Sequence, residues 1–261
     1  MQRTACGLVI AILAGAVAGA AELRTSAHQD TSPKFVASPA RTIDGFCIDL
    51  LRAMTQADPG LQFLGEQQWQ PLARVLSELR AAQQDAACGL ARTPERADYL
   101  LFVDPPLLMN DYVLIARAED DIVINNWDDV RKLGAQGVVL SNRALFASHV
   151  LETTTGVIYD TGSVTLQQCV QKLLAGRGRL VLYRTQGLEA LLAQSGLADK
   201  VRVLPVVMSS TPLYFALGKH VPSAAVDQVR RALQRLQKDG MIDRLYQHWY
   251  GKARRVPDQG R

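Results

Sequence analysis

Hydrophobic and polar positions repeat with two different periods along this chain. Leu72, Val75, Leu76 and Leu79 fall on one face of a helix, and the run of small apolar residues at 86–91 is typical of a strand buried on both faces. This alternation of helix and strand patterns predicts an α/β fold with mostly parallel sheets. Further apolar runs of strand length lie at 35–37, 61–64, 112–115, 137–140, 180–183, 201–204 and 213–217.

Glycine residues mark the ends of several predicted helices. A helix at 165–175 ends at Gly176, and a helix capped by Ser223 runs to about Asp239. Gly240 separates this helix from a last one at the end of the domain. The apolar face of that last helix carries Met241, Ile242, Leu245, Tyr246 and Trp249.

The turn after the buried strand at 86–91 combines a helix start with a positive charge. Thr93 is a candidate N-cap, Pro94 takes the first helical position and Arg96 lies in the first turn. Free backbone N–H groups beside a planar guanidinium can bind a carboxylate. Arg96 is therefore a candidate ligand-binding residue, and a surface or helix-capping arginine is the alternative.

Several motifs resemble, in the same order, those of one protein family. The block 69–106 holds a helix, a D-x-x-x-G-x-x-x-T-P-E-R turn and a following F-x-D-P. It is joined by G-F-C-I-D-L at 45–50, L-L-A-G-R at 173–177 and D-G-x-x-D-x-L-Y-x-x-W at 239–249. Together they resemble the periplasmic solute-binding proteins of the amino-acid ABC-importer type, bacterial extracellular solute-binding family 3. The resemblance covers nearly all of the chain after residue 21.

The resemblance implies an α/β fold of the two-lobe periplasmic-binding-protein kind (type II). Each lobe would be a mostly parallel sheet flanked by helices, with lobe one at 22–115 plus 216–250 and lobe two at 116–215. The chain would cross between the lobes at 112–117 and again at 213–219. These two crossings are expected to act as hinges.

The same resemblance implies which residues of lobe one line the ligand cleft. In the family, the arginine of the T-x-x-R turn holds the ligand's α-carboxylate, which assigns that role to Arg96. The match adds Ser32, Gly89 and Ala91, and places Trp69 at the aromatic residue that stacks on the ligand. A core tryptophan at a helix start is the alternative for Trp69.

Lobe two departs from the family's pattern at two strand ends. After 137–140 the family has Gly followed by Ser/Thr-Thr, whereas this chain has Ser141 and, two residues later, Arg143. After 180–183 the aspartate that holds the ligand's ammonium is replaced by Arg184. An arginine cannot neutralise an ammonium, so the pattern does not support an ordinary α-amino acid as the ligand.

The three arginines suggest a charge preference for the cleft. If Arg96, Arg143 and Arg184 all face it, they suit a ligand with more than one negative charge. The alternative is that Arg143 and Arg184 point to solvent or pair with Asp160 or Glu189.

The N-terminal end of the chain indicates export, and the C-terminal end is a basic tail. Residues 1–21 have a charged start at Arg3, an apolar stretch and small residues before a cleavage site, which predicts a secretory signal and a periplasmic location. An uncleaved membrane anchor is the alternative. Removal of Arg3 leaves 28 basic and 25 acidic side chains, an excess too small to suggest nucleic acid. The basic tail at 251–261 is expected to be disordered and solvated.

Three cysteines remain after the signal. Cys169 falls on the apolar face of the helix at 165–175 and is expected in the core. Cys47 and Cys88 could lie close together, and two packed thiols are favoured over a disulfide. No Cys/His motif with metal-ligand spacing occurs, so neither a metal nor a cofactor is expected.

The sequence thus favours a monomeric, non-enzymatic binding protein. It would capture a small polar, carboxylate-bearing solute (an amino acid or an organic anion) and present it to an ABC permease in the inner membrane. An enzyme on the same scaffold, like the cyclohexadienyl dehydratases, is one alternative. A periplasmic ligand sensor is the other.

Overall fold

The structure is a computed structural model that describes residues 21–29, 31–143, 146–251 and Arg254. The predicted signal falls outside the described residues except for Ala21, which begins the first strand. Within the described part, strands and helices alternate along the chain, so the predicted α/β class is confirmed.

The first half of the chain contains eight strands and three helices among the described residues. In chain order they are β1 (Ala21–Arg24), β2 (Ala27–His28), β3 (Val36–Ala37), β4 (Ile43–Asp44), α1 (Phe46–Ala57), β5 (Leu61–Leu64), β6 (Trp69–Gln70), α2 (Leu72–Arg80), β7 (Ala86–Ala91), α3 (Pro94–Ala97) and β8 (Leu100–Arg117).

The second half contains the remaining described elements. They are α4 (Trp127–Lys132), β9 (Val139–Asn142), α5 (Phe146–Thr153), β10 (Tyr159–Ser163), α6 (Leu166–Leu174), β11 (Leu180–Arg184), α7 (Leu188–Gln194), β12 (Val201–Gly218), α8 (Ser223–Lys238) and α9 (Met241–Tyr250).

Six strands form one continuous sheet in the order β10-β9-β11-β8-β12-β7. β9 pairs in parallel with β10 and β11, and β1–β5 and β2–β6 are also parallel pairs. The two longest strands, β8 and β12, run antiparallel to each other and to their outer neighbours β11 and β7. Four of the eight described pairings are parallel and four are antiparallel, so the expectation of mostly parallel sheets holds only away from β8, β12 and the short β3–β4 pair.

β8 and β12 are each 18 residues long, and several predicted strands are only segments of them. The predicted strand at 112–115 belongs to β8, and those at 201–204 and 213–217 both belong to β12. The register between β8 and β12 shifts at bulges, for example between Leu213 and Phe215. Such bulges interrupt the apolar alternation, which is why the sequence pattern shows shorter strands.

The two long strands contribute to the separate hydrophobic cores of both lobes. The first core, packed under α1, α8 and α9, includes Leu108 and Leu213. A second core contains Tyr112, Leu204 and Met208. The strands therefore pass from one core to the other at 109–111 and at 209–212, a few residues before the crossings expected from the sequence.

A disulfide links Cys47 of α1 to Cys88 of β7. The expectation of two packed thiols is therefore wrong. Their Cα atoms are 5.9 Å apart, within the range that a disulfide spans, because the start of α1 packs directly against the buried strand β7. Cys169 is a free, fully buried thiol in the core of lobe two, as predicted.

The closing helices return to lobe one and explain two of the sequence motifs. Gly240 takes a left-handed conformation between α8 and α9, which confirms the predicted break. The indole Nε1 of Trp249 in α9 donates a 2.8 Å hydrogen bond to Asp49 Oδ2 in α1. The closing motif thus contacts the G-F-C-I-D-L motif. The expected Ser223 cap is wrong, because Pro222 takes the N-cap position.

The tail at 251–261 was expected to be solvated, and of its two described residues, Gly251 and Arg254, the second differs from that expectation. The side chain of Arg254 is 1% exposed and forms an ion pair of 2.6 Å with Asp243. It also donates to the carbonyls of Pro106 and Leu107. Among the described residues, no helix combines the length and the apolar composition needed to cross a membrane.

Candidate ligand-binding site

An inner cavity of about 70 Å³ lies where the ends of β7 and β11 meet the middle of β8, and it opens next to a larger outer cleft of about 700 Å³. The two spaces share wall residues from both lobes, including Arg96 and Phe146. Strand ends of facing α/β units are a common place for ligands. The inner cavity is lined by Thr31, Ser32, Lys34, Leu72, Gly89, Leu90, Ala91, Arg96, Leu108, Asn110, Tyr112, Phe146, Arg184, Gln186, Leu213 and Tyr250.

Arg96 lies in the cavity wall on the short helix α3. Thr93 caps that helix by accepting a 3.2 Å hydrogen bond from Arg96 N–H, as predicted. The guanidinium Nη1 donates to Ala91 O over 3.0 Å, and no ion pair of Arg96 occurs among the described residues. Burial lowers the pKa of Arg96. A half-buried guanidinium with spare donors fits a ligand carboxylate.

Lys34 is a second cation in the same wall, and the sequence analysis did not find it. Its Nζ donates a 2.9 Å hydrogen bond to Gly89 O. Gly89 has a φ of +77°, and a Cβ at this position would lie 2.8 Å from Lys34 Cδ. The glycine therefore leaves the space in which the lysine side chain crosses the end of β7.

Arg184 also lines the inner cavity, and it connects the two lobes. Its Nη1 donates to Ser32 O over 3.0 Å and to Gln186 O. The alternative of a pair with Asp160 does not apply, because Lys172 binds that carboxylate at 2.7 Å. The Ser32 contact joins a lobe-two strand end to a lobe-one turn across the cavity.

Neutral polar groups complete the wall. Asn110 Nδ2 donates to Tyr112 OH over 2.7 Å, and burial raises the pKa of Tyr112. Burial likewise raises the pKa of Tyr250 from α9. Gln186 Nε2 donates to Met109 O, while its buried Oε1 has no partner among the described residues. That oxygen is available to a hydrogen-bond donor.

The structure brings most of the predicted site residues together. Ser32, Gly89, Ala91, Arg96 and Arg184 line the inner cavity, and Arg143 lines the outer cleft with an exposed side chain.

Two predicted residues lie elsewhere. Trp69 is 38% exposed on β6 and lines neither space, and Leu72 reaches the inner cavity from the following helix. Ser141 is buried on β9, where its hydroxyl donates to Leu182 O over 3.4 Å. Neither the stacking role of Trp69 nor a ligand role of Ser141 is supported by these positions.

The residues that sequence reasoning missed carry no motif of their own. Lys34, Asn110, Tyr112, Gln186 and Tyr250 come from four separate parts of the chain, with Asn110 and Tyr112 both on β8. The position directly after a predicted strand is the one sequence signal that could have found any of them. Gln186 lies two positions after the end of β11. Strand β11 was predicted, so its end was a usable signal for Gln186.

The charges of the inner wall are of one sign in the described part of the chain. Lys34, Arg96 and Arg184 line the cavity, and no described Asp or Glu does. Glu95 and Glu152 line the outer cleft instead. The described residues hold no group of three His, Cys, Asp or Glu side chains that could bind a metal.

The two lobes, the crossing strands and the cavity between them define the type II periplasmic-binding-protein class. The family model of the bacterial extracellular solute-binding proteins, family 3, matches residues 23–252. The chain belongs to this family, which confirms the resemblance and the predicted fold. No curated protein sequence matches significantly.

Solved structures with the same fold come from several kinds of protein. The probable amino-acid ABC transporter extracellular-binding protein of Bacillus subtilis is 17% identical with a TM-score of 0.70, covering 89% of this chain and 98% of its own. A histidine kinase sensor domain with similarity to periplasmic binding proteins is 15% identical with a TM-score of 0.69, at 90% and 98% coverage.

A third similar structure is an ancestral amino-acid-binding protein described as a precursor of cyclohexadienyl dehydratase. It is 21% identical with a TM-score of 0.65, covering 88% of this chain and 95% of its own. At such identities the three likenesses establish the fold only.

Proposed function

We propose that this protein is a non-enzymatic, monomeric periplasmic binding protein that captures a small carboxylate-bearing solute, an amino acid or an organic anion, for an ABC permease. The observation that carries the proposal is Arg96, a half-buried guanidinium in the interlobe cavity with no ion pair among the described residues. A buried cation without a carboxylate partner is costly, and an anionic ligand would supply that partner.

The rest of the cavity wall also supports binding of an anionic solute. Lys34 and Arg184 add positive charge beside Arg96, and the wall is otherwise built from apolar and neutral polar side chains. Specific binding sites commonly combine such an apolar lining with a few convergent polar groups. The family membership supports capture of a solute, and the similar amino-acid transporter protein supports delivery to a permease.

We also propose that the lobes close on the ligand, with 109–111 and 209–212 as the hinge segments. At this point Asp111 and Ser210 are paired across β8 and β12, and Ser210 Oγ donates to Asp111 Oδ1 over 2.6 Å. These segments divide the chain into the same two lobes that were expected from the sequence. They begin a few residues before the expected crossings at 112–117 and 213–219.

The test is a thermal-shift screen of the purified mature protein, followed by calorimetry on each stabilising compound. The panel contains neutral, acidic and basic amino acids, short dicarboxylates and monocarboxylic organic acids. A ligand at 100 times its Kd should add about 2.7 kcal/mol to the free energy of unfolding. Stabilisation by uncharged solutes alone would contradict the carboxylate role.

The enzyme alternative needs a separate assay on the same material. Incubation with prephenate or arogenate, followed by chromatography, would detect dehydratase turnover. Sustained multiple turnovers, absent from an Arg96→Met variant, would overturn the non-enzymatic assignment. Growth-linked uptake of the ligand in a strain with and without a candidate ABC permease would separate transport from sensing.

A further inference from the structure

Lys34 and Arg96 are both supported by carbonyl groups of one strand end. Lys34 Nζ donates to Gly89 O at 2.9 Å, and Arg96 Nη1 donates to Ala91 O at 3.0 Å. The two carbonyls belong to residues two positions apart at the end of β7. The two positive groups therefore approach the cavity from two neighbouring points of the same wall.

The backbone of Lys34 is fixed by several contacts. Its N–H donates to Thr31 O over 2.9 Å, and its carbonyl accepts from Cys47 N–H over 3.0 Å at the start of α1. A Cβ on Gly45 would lie only 2.4 Å from Lys34 O, so glycine is needed for this close approach. The Cys47–Cys88 disulfide then ties the same helix start to the strand residue before Gly89.

The charge of Lys34 is sensitive to its surroundings. Burial, followed by the charges of Arg184 and Arg96, lowers the pKa of Lys34 to about 7. The other titratable groups near it are His28 of β2, whose pKa burial lowers well below its usual value, and Tyr112 and Tyr250 in the cavity wall. None of these described groups carries a carboxylate that could hold the lysine in its charged form.

We propose that Lys34 is a specificity-determining residue that binds a second anionic group of the ligand, so that the site selects small dianions such as short dicarboxylates over monoanions. This inference rests on the proposed function, because it assumes that Arg96 holds the first carboxylate. Lys34 and Arg96 line the same small cavity, which suits two carboxylates joined by a short linker.

Binding of a second carboxylate beside Lys34 should change the protonation of this lysine. A second carboxylate beside Lys34 favours the charged ammonium, so the bound protein holds a proton that the free protein has partly released above pH 7. Binding of a dianion is therefore accompanied by proton uptake, and its affinity falls as the pH rises, by up to about tenfold per pH unit for one linked proton. A ligand with a single carboxylate should show no such linkage.

Calorimetry on the mature protein tests this with matched probes. Succinate and glutarate are compared with their half-amides, succinamate and glutaramate, at pH 6.5 and 8.5, and in two buffers with different ionisation enthalpies. The expected result is a preference of ~10-fold or more for the better dicarboxylate at pH 6.5, a smaller preference at pH 8.5, and proton uptake with the dicarboxylate alone.

Two variants and one control identify the residue. Lys34→Met should remove the preference and the proton uptake, whereas Lys34→Arg should keep the preference and make it independent of pH, since arginine stays charged. Lys238→Met, which changes an exposed lysine of α8 outside the cavity, should behave like the unmodified protein. Circular dichroism and thermal unfolding confirm that each variant is folded.

The possible results test the role of Lys34 separately from the proposed function. Equal affinity for a dicarboxylate and its half-amide, without proton uptake, would overturn the role of Lys34 and leave the proposed function intact. Preference and uptake that persist in a folded Lys34→Met variant would also overturn it. Absence of binding by every carboxylate in the wider screen, with binding of uncharged solutes, would overturn the proposed function itself.

Discussion

Replacement of Arg96 by methionine should abolish tight ligand binding while leaving the folded protein as stable as before. Methionine keeps most of the side-chain volume but removes the charge and the donors. The loss of a desolvated partner for a ligand carboxylate costs about 2–5 kcal/mol. At 1.4 kcal/mol for each factor of ten, the Kd should rise about 30-fold to 4,000-fold.

The expected stability follows from the contacts of Arg96. The free protein loses one hydrogen bond, from Nη1 to Ala91 O, worth about 1 kcal/mol. It also loses the cost of burying a guanidinium for which no ion pair occurs among the described residues. These effects oppose each other, so the melting temperature without ligand should stay the same or rise. Loss of binding without loss of stability is typical of a site residue and not of a structural one.

The assay is calorimetry with the ligand found in the screen, together with thermal unfolding of the empty variant. Arg92→Met is the matched control, because Arg92 leaves the same strand end but lies outside the cavity, paired with Asp104 at 3.2 Å. The control should bind normally. Near-normal affinity in a folded Arg96→Met variant would refute the assignment of Arg96 as the carboxylate receptor.

Three further predictions concern the scaffold. Replacing Cys47 and Cys88 by serine should lower the free energy of unfolding by about 4 kcal/mol, given the sequence separation of 41, and no loss in denaturant melts would contradict a stabilising disulfide. A thiol titration of the unfolded, unmodified mature protein should find only Cys169. Asp85 accepts three hydrogen bonds from Arg24 and one contact from His220, and these partners outweigh burial and lower its pKa to about 2. Since Arg24 is half-exposed, Asp85→Asn should lower the free energy of unfolding by only about 1–2 kcal/mol above pH 5, and this difference should vanish as the pH falls through about 2. The control is Asp227→Asn, which breaks an exposed pair, and an equal loss in this control would argue against a specific role of Asp85. Solution scattering should show a smaller radius of gyration with saturating ligand, and an unchanged radius would count against closure about 109–111 and 209–212.

The fold was largely predictable because its signals are local. The all-buried strand β7, the Thr93 cap and the Gly240 break follow from short residue patterns, and the structure reproduces them. The lengths of β8 and β12 were not predictable, because bulges in their pairing interrupt the alternation of apolar residues.

The site was predictable only where one motif carries it. Arg96 belongs to a turn that can be recognised in the sequence. Lys34 reaches the cavity because Gly89 leaves space above β7 and because α1 is held against that strand. Gly89 lies 55 positions from Lys34 along the chain, and the two cysteines that tie α1 to β7 are 41 positions apart. The Cys47–Cys88 disulfide was missed for the same reason, since sequence alone does not give the distance between two cysteines.

The preference for anionic over cationic ligands tests the central claim most directly. A cationic side chain bound beside Arg96 and Lys34 would place like charges together, and each such contact at ~4 Å costs about 4 kcal/mol at an effective dielectric of ~20. The measurement is a thermal-shift comparison of the mature protein with lysine, arginine and histidine and with carboxylate ligands that carry no net positive charge. We expect a carboxylate ligand at 100 times its Kd to raise the melting temperature by about 5–10 °C, and the basic amino acids to leave it unchanged. Micromolar binding of any basic amino acid would contradict the account.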